Sequence, residues 1–201
     1  MNIEKIMWSD TVTKNLWIIV MGHPGSGKTT FSEILHERGF ISFEYSAYFR
    51  HILNLQNEQR YEILKKVREY KQSIGRVSYT LDLILWVEKN IPDAYDKPIF
   101  LIGARDSEDI KILKSFKPVI FCIYLCSSKE NRMRRIIQRN KVIDKKVINE
   151  IETKNNIKIN PEIITCIKEH TNYLIENNGE IKDLINHVDN FLNHLEKLCQ
   201  D

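Results

Sequence analysis

The chain has 201 residues, of which 42% are hydrophobic and 28% are charged. This length and balance predict one globular domain with a full hydrophobic core. The net charge of +3 is too small to favour nucleic acid as a bulk partner. The longest apolar runs, Leu16–Met21 and Val119–Leu125, are too short to cross a bilayer, and the N-terminus lacks the pattern of a secretion signal. We therefore expect a cytoplasmic protein with no membrane partner.

The first third of the chain predicts two strands and the helix between them. Leu16–Met21 (LWIIVM) is a continuous apolar run rich in β-branched residues, which is typical of a fully buried parallel strand. Apolar residues at helical spacing predict a helix from Thr29 to Arg38, and Gly39 follows it as a cap. The apolar run Phe40–Phe43 (FISF) then predicts a second strand.

The middle third predicts three helices, then a third strand with its own helix. The three helices are expected at Tyr48–Leu55, Tyr61–Tyr70 and Ser78–Lys89. Ile99–Ile102 (IFLI) is the third strand. Ser107–Phe116 is a helix with acids at its start and a lysine near its end, which is the distribution that the helix dipole favours.

The last third continues the alternation of strands and helices. Its predicted elements are a strand at Val119–Leu125, a basic helix capped by Ser127 or Ser128, helices at Asp144–Asn156 and Pro161–Thr171, a strand at Asn172–Ile175, a turn at Asn177, Asn178 and Gly179, and an amphipathic helix at Ile181–Leu198. Strands that alternate with helices indicate a three-layer α/β fold with a five-stranded, mostly parallel sheet.

A glycine-rich segment lies between the first strand and the first helix. Residues 22–29, GHPGSGKT, match the phosphate-loop pattern G-x-x-x-x-G-K-[ST], with the flanking strand and helix that the motif requires. Glycines let backbone N–H groups turn toward phosphate oxygens, and the helix that begins there adds its positive end. In this pattern Lys28 reaches the β- and γ-phosphates, and the Thr29 hydroxyl binds Mg²⁺. His23 and Pro24 are expected to face outward and shape the loop.

The segment therefore predicts a P-loop NTPase fold and a site for a nucleoside triphosphate, ATP, with Mg²⁺. The residues expected to bind this cofactor are Gly22, His23, Pro24, Gly25, Ser26, Gly27, Lys28, Thr29 and Thr30. Among them, Thr29 is the expected metal ligand and Lys28 an expected catalytic residue.

The rest of the sequence narrows the class of P-loop protein. A GTPase should carry the guanine-reading motif N-K-x-D. The nearest segment, NKVID at residues 140–144, is one residue too long and lies in a charged helical stretch. The chain is also too short for the sensor apparatus of a large motor ATPase. A small kinase remains, in which a second, phosphate-bearing substrate docks opposite the loop.

Two arginines follow the second and third predicted strands. Arg50 lies in the helix after the second strand, and Arg105 follows the third strand in the segment Gly103-Ala104-Arg105. Open α/β sheets bind their ligands at this carboxyl edge. We therefore expect Arg50 and Arg105 to bind the phosphate of a small phosphorylated acceptor.

A basic stretch follows the fourth strand, with eight Lys or Arg residues between positions 129 and 146. Arg132, Arg135 and Arg139 stand at i, i+3 and i+7, which places them on one helix face. We expect these three residues to be catalytic, closing as a lid over the negative charge of the transferred phosphoryl group. Arg134 is expected to point elsewhere, into solvent. A simple solvent-exposed basic helix is the alternative interpretation.

The order of these features resembles the adenylate kinase and dephospho-CoA kinase group, in particular its small archaeal P-loop branch. The shared features are the phosphate loop, an Arg after the second strand, a Gly-x-Arg followed by acids and a helix (GARDSEDIKILKSF), an Arg-rich lid (ENRMRRIIQR), and a closing strand, turn and helix (YLIENNGEIKDLINHV). The similarity spans residues 16–195. It implies transfer from ATP to a nucleoside monophosphate or a nucleotide-like coenzyme precursor.

The same resemblance divides the single domain into functional regions. Residues 16–125 and 172–198 are expected to form the core, which includes the helices of residues 46–90 as the acceptor-binding region. Residues 128–158 are expected to form the lid. Nothing in the sequence marks a second domain or a linker.

Two positions depart from that group. Its members have an acid in the loop after the second strand and another just before the Gly-x-Arg, where this chain has Ala47 and Ile102. A kinase needs an acid to position the metal or the acceptor oxygen, and Glu44 and Asp106 are the available substitutes. Asp106 has a second interpretation, as the cap of the helix that follows it.

Two other functions stay open. The missing acids would suit a nucleotide-binding regulatory protein that binds and slowly hydrolyses ATP without an acceptor. The basic lid would suit a kinase of nucleic-acid ends, whose signature would be oligonucleotide binding with steep salt dependence. Acceptor-dependent release of ADP would distinguish the small-molecule kinase from the regulatory protein.

The four cysteines do not predict a metal site. Cys122 and Cys126 lie in an apolar, strand-like run, and no pair of histidines stands nearby at the spacing of zinc ligands. We expect these two residues, with Cys166 and Cys199, to be buried reduced thiols.

Overall fold

A computed structural model describes residues 16–55, 60–92, 96–104, 106–117, 120–140 and 161–198. The strands are β1 (Trp17–Met21), β2 (Ile41–Glu44), β3 (Ile99–Ile102), β4 (Ile120–Cys126) and β5 (Tyr173–Glu176). The helices are α1 (Lys28–Glu37), α2 (Tyr45–Ile52), α3 (Arg60–Ile74), α4 (Arg76–Lys89), α5 (Ser107–Phe116), α6 (Lys129–Asn140), α7 (Pro161–His170) and α8 (Ile181–Leu198). The predicted helix at Asp144–Asn156, the acceptor candidate Arg105 and Cys199 lie outside the described residues.

The five strands form one parallel sheet in the order β2-β3-β1-β4-β5. Every residue of β1 is buried, as its continuous apolar sequence predicts for a central strand covered on both faces. Val20 pairs with Ile102 of β3 on one side and with Ile123 of β4 on the other. The expected three-layer α/β fold with a five-stranded sheet is confirmed, and all described strand pairs are parallel.

The alternation of side chains along β1 divides the core into two layers. Ile18 and Val20 pack on one face, in a cluster formed mainly with α1 and α8. Trp17, Ile19 and Met21 pack on the other face, with residues of α2, α4, α5 and α7. Both faces of β1 are therefore packed up to its carboxyl end. The glycine-rich segment of residues 22–29 begins at that end.

The helix that follows β2 begins earlier than the sequence predicts. The sequence predicts a start at Tyr48, whereas α2 begins at Tyr45, directly after β2. Tyr45, Tyr48 and Phe49 are all buried, so the first turn of the helix carries part of the same apolar face. The predicted helix at Ser107–Phe116 agrees with α5 at both ends.

Within the described residues, no helix is long and apolar enough to pass through a membrane. The three described cysteines are free thiols, with Cys122 and Cys166 buried and Cys126 half-buried. Burial raises the pKa of Cys122 to about 11 and that of Cys166 to about 12, so both are protonated at neutral pH. These observations agree with the expectation of inert thiols for the two buried residues.

Candidate functional site

The phosphate loop joins β1 to α1 at the carboxyl edge of the sheet. Its backbone turns through a hydrogen bond from the Ser26 N–H to the His23 carbonyl, at 3.1 Å. Gly25 and Gly27 have φ angles of 79° and 100°, which residues with a side chain rarely adopt. A Cβ at Gly25 would lie 2.6 Å from the Arg132 carbonyl oxygen, so only glycine lets α6 approach the loop this closely.

Lys28 is the first residue of α1, and its side chain folds back over the loop. The Nζ atom donates hydrogen bonds to the carbonyls of Gly22 at 2.8 Å and His23 at 2.9 Å. The ammonium group is therefore held beside the loop backbone, and charge-assisted bonds to phosphate oxygens are stronger than bonds to neutral carbonyls. Thr29 is exposed and Thr30 half-buried in the same first turn.

Arg132 of α6 lies against the loop and is only 8% exposed. Its Nε donates to the Ser127 carbonyl at 3.2 Å, while its Nη1 is buried without a hydrogen-bond partner. Among the described residues it makes no ion pair with an acid. Burial lowers the pKa of this guanidinium, although an arginine stays charged at neutral pH. A desolvated cation that forms no ion pair with a described acid suits an anionic ligand.

Arg135 lies one turn further along α6 and contacts two other segments. Its Nη1 donates to the Ser127 hydroxyl at 3.2 Å and to the Gly25 carbonyl at 3.4 Å. Its Nη2 donates to Asn177 Oδ1 at 3.2 Å and to the Gly179 carbonyl at 3.4 Å. All four acceptors are neutral, so its positive charge is not compensated there. Burial, and then the nearby Arg134, lower the pKa of Arg135.

A cleft of about 400 Å³ opens beside the loop, between α6 and the start of α8. Its lining residues are Gly27, Thr30, Arg134, Arg135, Gln138, Asn177, Gly179, Glu180, Ile181 and Leu184. Arg134 is exposed to solvent, as expected, and its side chain also lies at the rim of the cleft. Arg139 is exposed, and no described hydrogen bond or ion pair joins it to the loop. Its catalytic role stays a prediction.

The prediction that His23 and Pro24 face outward is wrong. Pro24 is buried and His23 is half-buried. The His23 ring packs edge-on against Tyr124 of β4, with 6.4 Å between ring centroids. The sequence motif does not reveal this burial, because it depends on β4 and α6 covering the outer side of the loop.

Glu44 lies at the carboxyl edge of the sheet, on the side that we expect to bind the acceptor. It is the last residue of β2 and pairs in register with Ile102 of β3. The Ser46 hydroxyl donates to Glu44 Oε2 at 2.8 Å. Ala47 and Arg50 are both exposed on α2. Of the acids proposed as substitutes, Glu44 is therefore at the sheet edge, where a ligand would bind.

Asp106 is occupied by structural interactions instead. Its Oδ1 accepts a hydrogen bond from the Glu108 N–H at 3.0 Å, which caps α5. Its Oδ2 accepts from Arg76 Nη1 at 2.5 Å. The same Arg76 nitrogen lies 3.1 Å from Asp109, which is also paired with Lys71. This group of two acids and two cations has no signal in the sequence, because its members come from α3, α4 and the start of α5.

The β5–α8 turn is the second feature that sequence reasoning missed. The sequence predicts Asn177 only as part of a turn, yet its side chain donates to the Ser26 carbonyl at 2.8 Å. Asn178 Oδ1 accepts from the Ser128 N–H at 2.7 Å, at the start of α6. Two consecutive asparagines directly after a strand are the available signal, since each offers a donor and an acceptor.

Comparison with known proteins identifies the fold. No protein-family model matches the chain. A UPF0200 protein of Pyrobaculum aerophilum is 25% identical over 128 residues, which cover 63% of this chain and 68% of that protein. The shikimate kinase of Acinetobacter baumannii, solved in complex with shikimate, matches with a TM-score of 0.58 and 17% identity over 92% of this chain and 94% of its own. That of Bacteroides thetaiotaomicron matches with a TM-score of 0.54 and 14% identity over 90% and 98%.

These similarities agree with the strand, loop and helix arrangement around residues 22–29. The matched structures are kinases, and at these identities they show a shared fold. The Pyrobaculum protein fits the small archaeal branch that the sequence resembles. The chain therefore has the fold of the P-loop kinases.

Proposed function

We propose that the chain is an ATP-dependent phosphotransferase that acts on a small phosphorylated acceptor. The observation that carries the proposal is the arrangement around the phosphate loop. Lys28 and Arg135 donate to carbonyls of one short loop, and the backbone of Arg132 packs against Gly25 of that loop. The two arginines form no ion pair with an acid among the described residues. A polyphosphate is the ligand that would balance this charge.

The cleft beside the loop suits the nucleoside of ATP. It adjoins Gly27 and Thr30, so a base placed there stays within reach of phosphates bound on the loop. A guanidinium plane such as that of Arg134 can stack on a base, and Leu184 offers an apolar surface on another side. These contacts support a nucleotide whose base lies between α6 and α8.

The chain also offers a place for Mg²⁺. The described residues contain no group of three or more His, Cys, Asp or Glu side chains that could hold a metal. Thr29 is exposed in the first turn of α1, beside Lys28. One hydroxyl ligand fits Mg²⁺, which keeps several waters and is bound largely through substrate phosphates. When bound, this ion would neutralise charge on the β- and γ-phosphates.

The transfer itself forms one bond and breaks another. An oxygen of the acceptor attacks the γ-phosphorus, the bond from that phosphorus to the β–γ bridging oxygen breaks, and ADP leaves with the bond's electron pair. When the attacking oxygen belongs to a hydroxyl, its proton passes to a nearby carboxylate or to water, whereas an ionised phosphate oxygen attacks without losing a proton. Arg132 Nη1 would donate to the equatorial oxygens, where negative charge collects. Glu44 is the carboxylate that we propose for orienting the acceptor oxygen.

The acceptor is proposed from the sequence resemblance and from the cations on that side. A nucleoside monophosphate or a nucleotide-like coenzyme precursor carries the phosphate that Arg50 and Arg105 would bind. The matched Acinetobacter kinase holds shikimate, which has no phosphate. An acceptor without phosphate is therefore the comparison that the experiment must include.

A coupled assay of ADP release tests the proposal. The panel contains nucleoside monophosphates, dephospho-CoA and shikimate, each with ATP and Mg²⁺ and the full chain. We expect ADP release that depends on one of the phosphorylated acceptors. Release that is the same with and without every acceptor would instead favour the regulatory ATPase, and release stimulated only by shikimate would overturn the phosphorylated acceptor.

A pair of variants then assigns the acid. Glu44→Gln removes the charge at the sheet edge and should lower turnover with the identified acceptor at least tenfold. Asp106→Asn should lower thermal stability, because it weakens a helix cap and an ion pair, while ATP turnover per folded molecule changes little. The reverse result would move the acid role from Glu44 to Asp106.

A further inference from the structure

Asn177 connects three parts of the proposed nucleotide site. Its backbone N–H donates to the Cys126 carbonyl at the end of β4, at 2.8 Å. Its Nδ2 donates to the Ser26 carbonyl of the loop at 2.8 Å, and its Oδ1 accepts from Arg135 Nη2 at 3.2 Å. The two side-chain partners, an acceptor and a donor, fix the orientation of the amide. At 5% exposure, the residue is shielded from water that could replace these bonds.

The bond to Ser26 determines the direction of a peptide group in the loop. In a trans peptide the carbonyl of one residue and the N–H of the next point in opposite directions. Holding the Ser26 carbonyl toward Asn177 therefore turns the Gly27 N–H the other way. A fixed, inward-facing N–H is what a phosphate loop offers its ligand.

Gly27 and Asn177 are matched to each other. Gly27 has a φ of 100°, and a Cβ on it would overlap Asn177 Nδ2. The buried Ser26 hydroxyl has no hydrogen-bond partner among the described residues, so it does not hold the loop in place of Asn177. The loop conformation thus depends on an amide that lies far away in the sequence.

From these contacts we infer that Asn177 is a positioning residue for the nucleotide, which orients the Gly27 N–H and the Arg135 guanidinium together. This inference rests on the proposed function, because it concerns the same ATP site. A change at Asn177 removes the bond to the Ser26 carbonyl and disturbs Arg135, whereas a change at Arg135 leaves the bond between Asn177 and Ser26 in place. Asn177 itself need not contact the reacting atoms.

Asn178 provides a matched control. It belongs to the same turn, and its Oδ1 accepts from the Ser128 N–H while its carbonyl accepts from Asn131 Nδ2 at 3.0 Å. Asn178→Asp keeps an oxygen at Oδ1 for Ser128. Asn177→Asp keeps an acceptor for Arg135 but sets an oxygen against the Ser26 carbonyl. The same chemical change therefore removes the loop bond at one position and preserves the described bonds at the next.

The test is calorimetric titration of the full chain with MgATP, with a melting curve for each variant. We expect N177D to bind MgATP at least tenfold more weakly than the wild type, and N178D within threefold of it. Equal affinities for N177D and the wild type would overturn the inference, as would an equal loss in N178D. A wild-type chain that does not bind MgATP would instead overturn the proposed function.

A second measurement separates positioning from a general loss of structure. R135Q alters the side chain on α6 and leaves the bond between Asn177 and Ser26 in place, and we expect at least a fivefold loss of MgATP affinity. The double variant N177D/R135Q should then lose less affinity than the product of the two single losses, because both changes disturb one arrangement. Losses that simply multiply, or affinity changes that follow the melting temperature in every variant, would overturn the positioning role.

Discussion

The cations beside the phosphate loop and those beside the start of α5 differ in whether acids pair with them. Around the phosphate loop, Arg132 and Arg135 bond only to neutral groups among the described residues. On the acceptor side, Arg76 and Lys71 are paired with Asp106 and Asp109. Uncompensated cations can bind an anionic ligand without first breaking an ion pair, whereas paired cations mainly hold helices together. We therefore propose that the first group binds a ligand and that the second supports the structure.

The largest expected effect comes from removing the charge of the loop lysine. Lys28→Ala should lower kcat/KM for ATP by about 100-fold, because a point charge on the β- and γ-phosphates stabilises the transferring group. Steady-state kinetics with ATP as the varied substrate measures the loss. Lys182→Ala, at an exposed position of α8, is the control. An unchanged ATP titration for Lys28→Ala would contradict the whole scheme.

The next effect tests whether the buried arginine acts on the transition state. Arg132→Lys keeps the positive charge but removes the buried, unpartnered Nη1, so kcat should fall about 30-fold while the KM for ATP changes little. Arg68→Lys makes the same exchange at an exposed position of α3. If Arg132→Lys raised the KM for ATP and left kcat unchanged, Arg132 would bind substrate without favouring the transition state.

A smaller effect is expected on the acceptor side, and it concerns stability. Asp109→Asn leaves Lys71 without its buried partner and should lower the free energy of unfolding by about 2 kcal/mol, below the range for a fully buried pair because Lys71 is partly exposed. MgATP affinity should stay within about twofold of the wild type. Chemical denaturation and calorimetry measure the two quantities. The double variant Lys71→Met/Asp109→Leu should recover much of the lost stability. If it stayed as unstable as Asp109→Asn, unpaired charge would not be the cause.

The smallest predicted effect is a pH dependence from His170. Its Nε2 lies 2.9 Å from the Ser107 hydroxyl, and burial, then the nearby Lys114, lower its pKa below the ordinary value of 6.5. The folded state thus favours the neutral ring. The resulting stability is present above pH 6.5 and is lost as the pH falls through the folded pKa. Melting temperatures between pH 7 and pH 5, at about 0.5-unit steps, should fall more steeply for the wild type than for His170→Asn.

The control for this pH series is the exposed His187 of α8. His187→Asn should leave the slope of melting temperature against pH close to that of the wild type. If His170→Asn showed the same slope as well, protonation of His170 would not contribute to acid instability.

The fold and the phosphate loop could be predicted because their signals are local. The apolar run Leu16–Met21 and the glycine pattern that follows it define a strand, a turn and a helix within about twenty residues. The correct number of strands followed from the same kind of local pattern. The rest depended on contacts between distant segments. The place of Arg134 at the rim of the cleft could not be predicted, because helical spacing gives relative directions on a helix and not the rotation of that helix against its neighbours.

The acceptor side was harder still to predict. Whether a cation such as Arg76 is available for a substrate depends on acids brought to it by another helix, and the sequence does not display that pairing. The sequence offers two interpretations of Asp106, as a catalytic acid and as a helix cap. The structure shows the hydrogen bond by which it caps α5.

The bond between Ser26 and Asn177 joins residues that are 151 positions apart. During synthesis, the ribosome releases the glycine-rich segment long before the last strand exists. Contacts of such large sequence separation form late and slow the acquisition of structure. A nascent chain that ends before β5 would carry the motif without the amide that shapes it. Binding of a nascent chain to immobilised nucleotide would therefore show that the C-terminal part of the polypeptide has already docked.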